Sequence, residues 1–321
     1  MTPRGGRRGA VALSALSALS ALSALSALSE PRGGGRGAAL AALTVVVAVG
    51  LAGCSGTPAA SPPPPAPTST AAPVAAPSPP AASTGGVVVW FVGSTAAGDR
   101  LYRERRATTE GGPDGAAPDP AGVAVRELLA GRPEDPDHRS DWPPGVTLRG
   151  PVTHADGVFT VDLGTPGPLP GPAGLALQQL VQTVQSTTGS DDPVRVLVDG
   201  RPAATLLGED VSRPLTADDP LRVRALVQLD DPVEGAVVGS PVVVTGEAAV
   251  FEATLLWEVR DTAGRTVRSG FATTTEGQTF APYRFEVPLE PGTYDLVVSE
   301  DDPSGGEGRA PMTDSARITV R

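Results

Sequence analysis

Residues 55–86 carry no charge and are dominated by Pro, Ala, Ser and Thr, with residues 62–65 an unbroken proline run. Such a segment has too little apolar bulk to offset the entropy of ordering, so it is expected to stay extended and polyproline-like. At about 3.1 Å per residue, roughly 30 residues reach at most about 90 Å. This one stretch divides the 321 residues into an N-terminal segment, a spacer and a body long enough for two domains. Ser and Thr beside Pro also leave the spacer open to O-glycosylation.

The N-terminal segment reads as a targeting signal. Arg32 and Arg36 precede an apolar run over residues 38–52, followed by Gly53 and the lone cysteine, Cys54. About 15 apolar residues are too few for a membrane-spanning helix. A basic region, an apolar region and small residues at a cut point make a secretory signal. Leu51-Ala52-Gly53-Cys54 resembles the lipobox of bacterial lipoproteins. The resemblance implies cleavage after Gly53, with residues 1–53 as signal peptide, and a diacylglyceryl group on the Cys54 thiol. Palmitate-type chains would then hold the protein in the lipid bilayer on the extracytoplasmic face of the cell membrane, two chains giving stable anchoring where one is marginal. The alternative is an uncleaved anchor with an incidental buried Cys54. The Ala-Leu-Ser repeat over residues 14–29 is low-complexity and is assigned no structure.

Composition narrows the function. All 25 basic residues are Arg, Lys and Asn are absent, and Ile318 is the single isoleucine, a pattern of high-GC coding. The chain has a net charge of −11, and the signal segment removes five Arg (Arg4, Arg7, Arg8, Arg32, Arg36) against one acid, Glu30. The mature body is therefore more acidic still, which repels nucleic acid and argues against it as a partner.

The first part of the body, residues 87–215, reads as an α+β domain, two helices on one face of a small sheet. Residues 87–92 are continuously apolar, a buried strand. Residues 101–109 form a second strand with a charged face. Asp119-Pro120 supplies an N-cap and a proline at the first helical position, and Gly131 ends that helix. Phe159, Val161 and Leu163 alternate with Thr160 and Asp162 after an Asp156-Gly157 turn. Leu177, Leu180, Val181 and Val184 mark a second amphipathic helix. Val194, Val196 and Val198 lead to Asp199-Gly200. The 87–92 strand, the residues 124–131 helix end, Gly157-Val158-Phe159-Thr160-Val161-Asp162-Leu163, Gln179, Thr183 and Val198-Asp199-Gly200 together resemble the GerMN domain of spore-germination proteins and envelope lipoproteins. The resemblance covers roughly residues 85–215 and implies a ring-building or contact module without established enzymatic activity.

Residues 226–321 switch to short strands between Gly, Pro and Asp turns. Seven are expected, near 226–229, 242–245, 254–260, 266–273, 283–287, 294–298 and 316–320, as in an immunoglobulin-like sandwich. Leu255, Trp257 and Val259 share the inward face, with Trp257 expected at the centre of the core. Pro291-Gly292-Thr293-Tyr294 resembles a tyrosine corner. Asp231-Pro232, Gly235, Ser240-Pro241-Val242, Thr245-Gly246-Glu247-Ala248 and Val250-Phe251-Glu252-Ala253 resemble the immunoglobulin-like domain associated with GerM in sporulation and germination proteins.

The side chains of hydrolytic chemistry are missing. His138 and His154, the two histidines, lie in polar stretches flanked by Pro and Gly and read as solvated loop residues. No Gly-x-Ser-x-Gly elbow is present, and a Ser-Lys dyad is impossible without Lys. The acidic pairs Asp191-Asp192, Asp218-Asp219, Asp230-Asp231 and Asp301-Asp302 read as solvated turns. Of the possible cation sites the best candidate is Ca²⁺ on Glu300, Asp301, Asp302 and Glu307, but their spacing is not that of an EF-hand and solvated turns are the preferred reading. Trp90 reads as core, and Trp142 as exposed or a loop plug. No cofactor and no metal is expected, and both domains are expected to fold without one. The reading is a membrane-anchored, non-catalytic interaction or scaffold module meeting other envelope proteins. Its rival is a binder of cell-wall glycan or peptide, with peptidoglycan held between the domains.

Overall fold

The structure is a computed structural model that describes residues 86–107, 119–167, 173–302 and 305–321. The Leu51–Cys54 motif and the spacer, save Gly86 at its end, lie outside the described residues. Among those described, no helix is long and apolar enough to cross a membrane.

The first domain opens with an antiparallel hairpin, β1 (Gly86–Thr95) and β2 (Gly98–Ala107). Helix α1 (Pro120–Ala130) follows, then β3 (His138–Arg139), β4 (Thr147–Leu148), β5 (Thr153–Ala155), β6 (Val158–Gly164), α2 (Ala176–Thr188), β7 (Val194–Val198) and β8 (Arg201–Pro202). Local chemistry fixes several of these boundaries. Asp119 accepts a hydrogen bond from the Gly122 N–H at 2.8 Å, with Pro120 behind it, and Gly131 closes α1 in the left-handed conformation. Asp156-Gly157 and Asp199-Gly200 both take positive φ at both positions, turning β5 into β6 and β7 into β8.

The strands form two main sheets rather than the single small sheet expected, with β9 (Thr205–Leu206) and β10 (Glu209–Asp210) paired as a separate two-stranded ribbon. One has the order β2-β1-β3, the other β4-β6-β7-β8 with β5 on β6, and β6 and β7 run parallel across α2. The reason they stay apart lies on α2. Thr183 Oγ1 accepts the Trp90 N–H at 3.1 Å, and Gln179 Nε2 donates to the Trp90 carbonyl at 2.9 Å. Thr187 Oγ1 accepts the Val88 N–H at 3.1 Å and donates to the Val88 carbonyl at 3.0 Å. Helix side chains thus satisfy the backbone edge of β1 that another strand would otherwise occupy.

Both faces of β1 are covered, which explains its unbroken apolar run. Val87, Val89 and Phe91 join α1, α2 and β6 in the main core. Val88, Trp90 and Val92 form a second cluster with Leu101 of β2 and Val223 of a short helix, α3 (Pro220–Val223), between the domains.

The second domain is a sandwich with its own core. Its strands include β11 (Val227–Asp231), β12 (Val237–Val238), β13 (Val242–Ala248), β14 (Thr254–Asp261), β15 (Thr266–Thr273), β16 (Ala281–Val287), β17 (Gly292–Glu300) and β18 (Thr313–Val320). The sheets are β11-β13-β16 and β12-β18-β17-β14-β15. The strand absent from the sequence reading is β12, two residues lying parallel to β18. The tyrosine corner is present: the Tyr294 hydroxyl donates to the Glu290 carbonyl at 3.0 Å.

Trp257 is not the centre of that core. Leu255, Val259 and Leu296 are fully buried, while Trp257 is half-buried at the margin. Its ring lies over Gly270 of the edge strand β15, where a Cβ would come within 2.6 Å of the indole. It stacks on Phe285 at 5.2 Å and donates its N–H to the Phe271 carbonyl at 3.2 Å. An indole needs an acceptor for its polar edge, and the β15 backbone offers one only at the rim.

Candidate functional site

Strand β2 carries the charged face read from the sequence, but that face is the seam between the domains. Leu101 accepts the Ala225 N–H at 2.9 Å and a second hydrogen bond, at 3.0 Å, from Gln228 Nε2. The same fully buried Gln228 accepts the Arg103 N–H through Oε1 at 3.0 Å. A single amide side chain therefore stitches β11 to β2. Beside it Arg103, with its side chain 12% exposed, grips Asp230 with two nitrogens at 2.6 and 2.7 Å and reaches Glu247 at 2.6 Å. Burial opposes its charge, but these two carboxylates outweigh that and hold the guanidinium even more firmly protonated than usual. Arg224 lies over the Trp90 ring at 4.7 Å and donates to Gln182. Asp230 is accordingly no solvated turn residue; its side chain is 11% exposed.

On the other face of β2 lies a tighter cluster. β3 pairs with Val92 and Gly93 of β1, which brings His138 beside Tyr102 with ring centroids 4.9 Å apart. Gly93 makes room for this, since a Cβ there would fall 2.6 Å from the Tyr102 ring. Tyr102 in turn donates its hydroxyl to the Thr313 carbonyl of β18 at 3.0 Å. Next along β18, Asp314 is buried and accepts the Leu229 and Ser315 N–H groups at 2.7 and 2.8 Å. Glu104 is 8% exposed and meets His138 Nδ1 at 2.9 Å, with Arg106 at 2.7 Å on its other oxygen. Asp135, also buried, completes the group; a ligand atom each from Asp135, His138 and Asp314 lie within 4.8 Å of one another. A cleft of about 30 Å³ separates the two domains here, walled by Glu104, Asp135, His138, Leu229 and Asp314 among others. That is room for a water or an ion.

The electrostatics follow from burial. Desolvation pushes the Asp314 carboxyl up to about 7, against the lowering pull of His138. Asp135 is raised for the same reason. Burial works against the His138 charge, but Glu104, Asp314 and Asp135 prevail and raise it. Glu104 is lowered despite its burial, because His138, the Glu134 N–H and Arg106 all favour its charged form.

The sequence-derived candidates fare unevenly. His138 is not a solvated loop residue; its side chain is 6% exposed and held by Glu104. His154 is exposed but sits on β5, stacked on Phe159 at 4.3 Å with Nε2 2.7 Å from Asp192. The calcium candidates do not converge. Glu300 is occupied by Arg309 at 2.6 and 2.8 Å and by the Met312 N–H, and Asp302 caps a turn through the Gly306 N–H at 2.7 Å. Glu300, Asp301, Asp302 and Glu307 form no converging ligand group among the described residues. Trp90 is fully buried, its indole N–H donating to Ser186 Oγ at 2.9 Å, and Trp142 is a buried plug.

Two family models match the chain. Residues 88–204 match the Germane family, described as sporulation and spore germination. Residues 226–307 match a family described as an immunoglobulin-like domain of bacterial spore germination. The chain carries these two domains in tandem. Neither description names a catalytic activity. No curated protein matches the sequence. Among solved structures, the tandem GerMN domains of the sporulation protein GerM from Bacillus subtilis share 16% identity at a TM-score of 0.33, covering 41% of this chain and 44% of that one. The chain thus spans less than half the length of that structure. A putative lipoprotein from Clostridium perfringens shares 15% identity at 0.29 over 44% of this chain and 93% of its own. CopC from Methylosinus trichosporium OB3b shares 18% at 0.23, over 29% and 92%.

Proposed function

We propose that this chain is a non-catalytic interaction module of the bacterial cell envelope, tethered by acylated Cys54 and held off the membrane by its proline-rich spacer. The GerMN-type and immunoglobulin-like domains form one seam-locked body that presents a binding face to another envelope protein. The observation that carries this reading is on the sandwich edge. Phe271 of β15 is 70% exposed and lies directly across from Leu256 of β14, itself exposed. β15 ends its sheet, so an apolar pair sits beside an open strand edge. A partner strand laid along β15 would satisfy both at once.

The experiment is a pull-down from membranes after wall digestion, comparing wild type with Phe271→Asp. The reading expects envelope proteins that wild type retains and Phe271→Asp loses. Equal retention by both removes the β15 edge as the binding face, and recovery of wall fragments alone favours a cell-wall ligand instead. The anchor is tested separately, by metabolic labelling with a palmitate analogue. Label should enter wild type and not Cys54→Ser; equal labelling defeats the anchor.

A further inference from the structure

The Asp135, His138 and Asp314 cluster has more negative charge than its surroundings balance. Glu104 is answered by Arg106 and by the His138 imidazole. Among the described residues no arginine pairs with Asp135 or Asp314, and both are buried. Backbone N–H groups meet them, from Asp137 for the first and from Leu229 and Ser315 for the second. Each carboxylate oxygen has two lone pairs, so these bonds leave acceptor capacity free. His138 presents the complementary feature. Its Nδ1 is taken by Glu104 at 2.9 Å, which leaves Nε2 as the nitrogen able to ligate, on a side chain only 6% exposed.

We propose that Asp135, His138 and Asp314 form a Zn²⁺ site that clamps the first domain to the second. Asp135 and His138 come from the first domain and Asp314 from β18 of the second, so the ion bridges the seam. The ligands are one imidazole nitrogen and two carboxylate oxygens, with a fourth position open to the cleft. Imidazole suits zinc, whereas an oxygen-only set would suit calcium or magnesium. Glu104 plays the positioning part: a carboxylate on Nδ1 fixes the tautomer that leaves Nε2 free to ligate. Bonds of about 2.1 Å put tetrahedral ligand atoms about 3.4 Å apart, a separation compatible with ligand atoms that all lie within 4.8 Å of one another.

The test uses residues 76–321, a compact unit by its own contacts that contains both cores. Zn²⁺ alone is titrated calorimetrically into metal-stripped protein, and the melting curve is followed in parallel. One equivalent should bind and raise the melting temperature. His138→Gln should weaken binding by about 100-fold or more, and Glu104→Gln by about 10–100-fold. Asp314→Asn should also abolish tight binding; if it fails to fold, His138→Gln decides, its fold checked by near-UV circular dichroism. Millimolar Ca²⁺ should leave the zinc isotherm unchanged. The proposal is overturned if Zn²⁺ does not bind wild type, if folded His138→Gln binds it equally well, or if Ca²⁺ displaces it. The clamp has its own readout. Zn²⁺ should slow proteolysis of the 215–226 connection in wild type and not in His138→Gln, and equal rates with and without metal would remove the bridging role.

Discussion

Arg103→Met is the most informative perturbation of the seam. Arg103 is held by two carboxylates, Asp230 at 2.6 and 2.7 Å and Glu247 at 2.6 Å, in a nearly dry setting. Removing one partner of a buried ion pair costs about 3–5 kcal/mol, because the remaining charge has lost both water and counter-ion. Here each acid keeps a weaker partner. Arg105 reaches Asp230 at 3.3 Å from a largely exposed position, and Arg224 reaches Glu247 at 3.6 Å. These remainders reduce the expected loss to about 2–4 kcal/mol. For a body of this size that is a fall in melting temperature of about 5–15 °C. Tryptophan fluorescence during urea unfolding of residues 76–321 reads it, since Trp90 lies against Arg224 in the seam. The decisive comparison adds Asp230→Asn and Glu247→Gln to Arg103→Met. If the penalty is stranded charge, the triple variant should regain more than half of the loss. A single-variant cost below about 1 kcal/mol, or a triple variant no more stable than Arg103→Met, would refute this account of the seam.

Two further outcomes follow from the fold. Thr183→Val keeps the shape of α2 but leaves the Trp90 N–H without its acceptor, and should cost about 1–3 kcal/mol, with faster amide exchange at Trp90 and little change elsewhere. Trp257→Ala should cost less than the 3–5 kcal/mol of a fully buried aromatic, about 2–3 kcal/mol, because the ring sits at the rim of the sandwich; a melting-temperature shift below about 2 °C would mean that the ring serves ligand stacking rather than the core.

What the sequence shows plainly is chemistry that acts over a few residues. The Asp119 cap, the Asp156-Gly157 and Asp199-Gly200 turns and the Tyr294 corner each depend on partners within four residues, so they stand in the chain as motifs. His138 depends on Glu104, 34 positions earlier, and on Asp314 in another domain, and nothing local distinguishes it from a charged loop residue. A signal was nevertheless present. Val87 to Val92 is apolar on both faces, so whatever covers its second face must also cover its hairpin partner β2. The charges of Tyr102-Arg103-Glu104-Arg105-Arg106 could not then all be solvated, and each buried one required a counter-charge from elsewhere. Trp257 shows the reverse error. Alternation placed it correctly on the inward side, but the depth of an inward residue depends on which strand ends the sheet, and β15 does.

The absence of lysine bears on the seam as much as on coding. An ammonium between Asp230 and Glu247 would keep its charge, but as a compact point charge it could not make two parallel bonds to one carboxylate while reaching the other. The guanidinium stays protonated under the same burial, and its fork makes two parallel bonds to Asp230 while a third nitrogen turns to Glu247. Arg224 uses a further property, lying flat over Trp90 while donating from its edge to Gln182. Arg106 repeats the pattern, with Phe91 under its plane and Glu104 and Glu127 at its edge. Arg224 and Arg106 each cover an aromatic ring and pair a carboxylate at once, Glu247 for the first and Glu104 for the second, which a lysine cannot do from one position. A chain restricted to arginine can therefore build a polar seam in the low-dielectric space between two domains, and Arg103→Lys should cost stability despite keeping the formal charge.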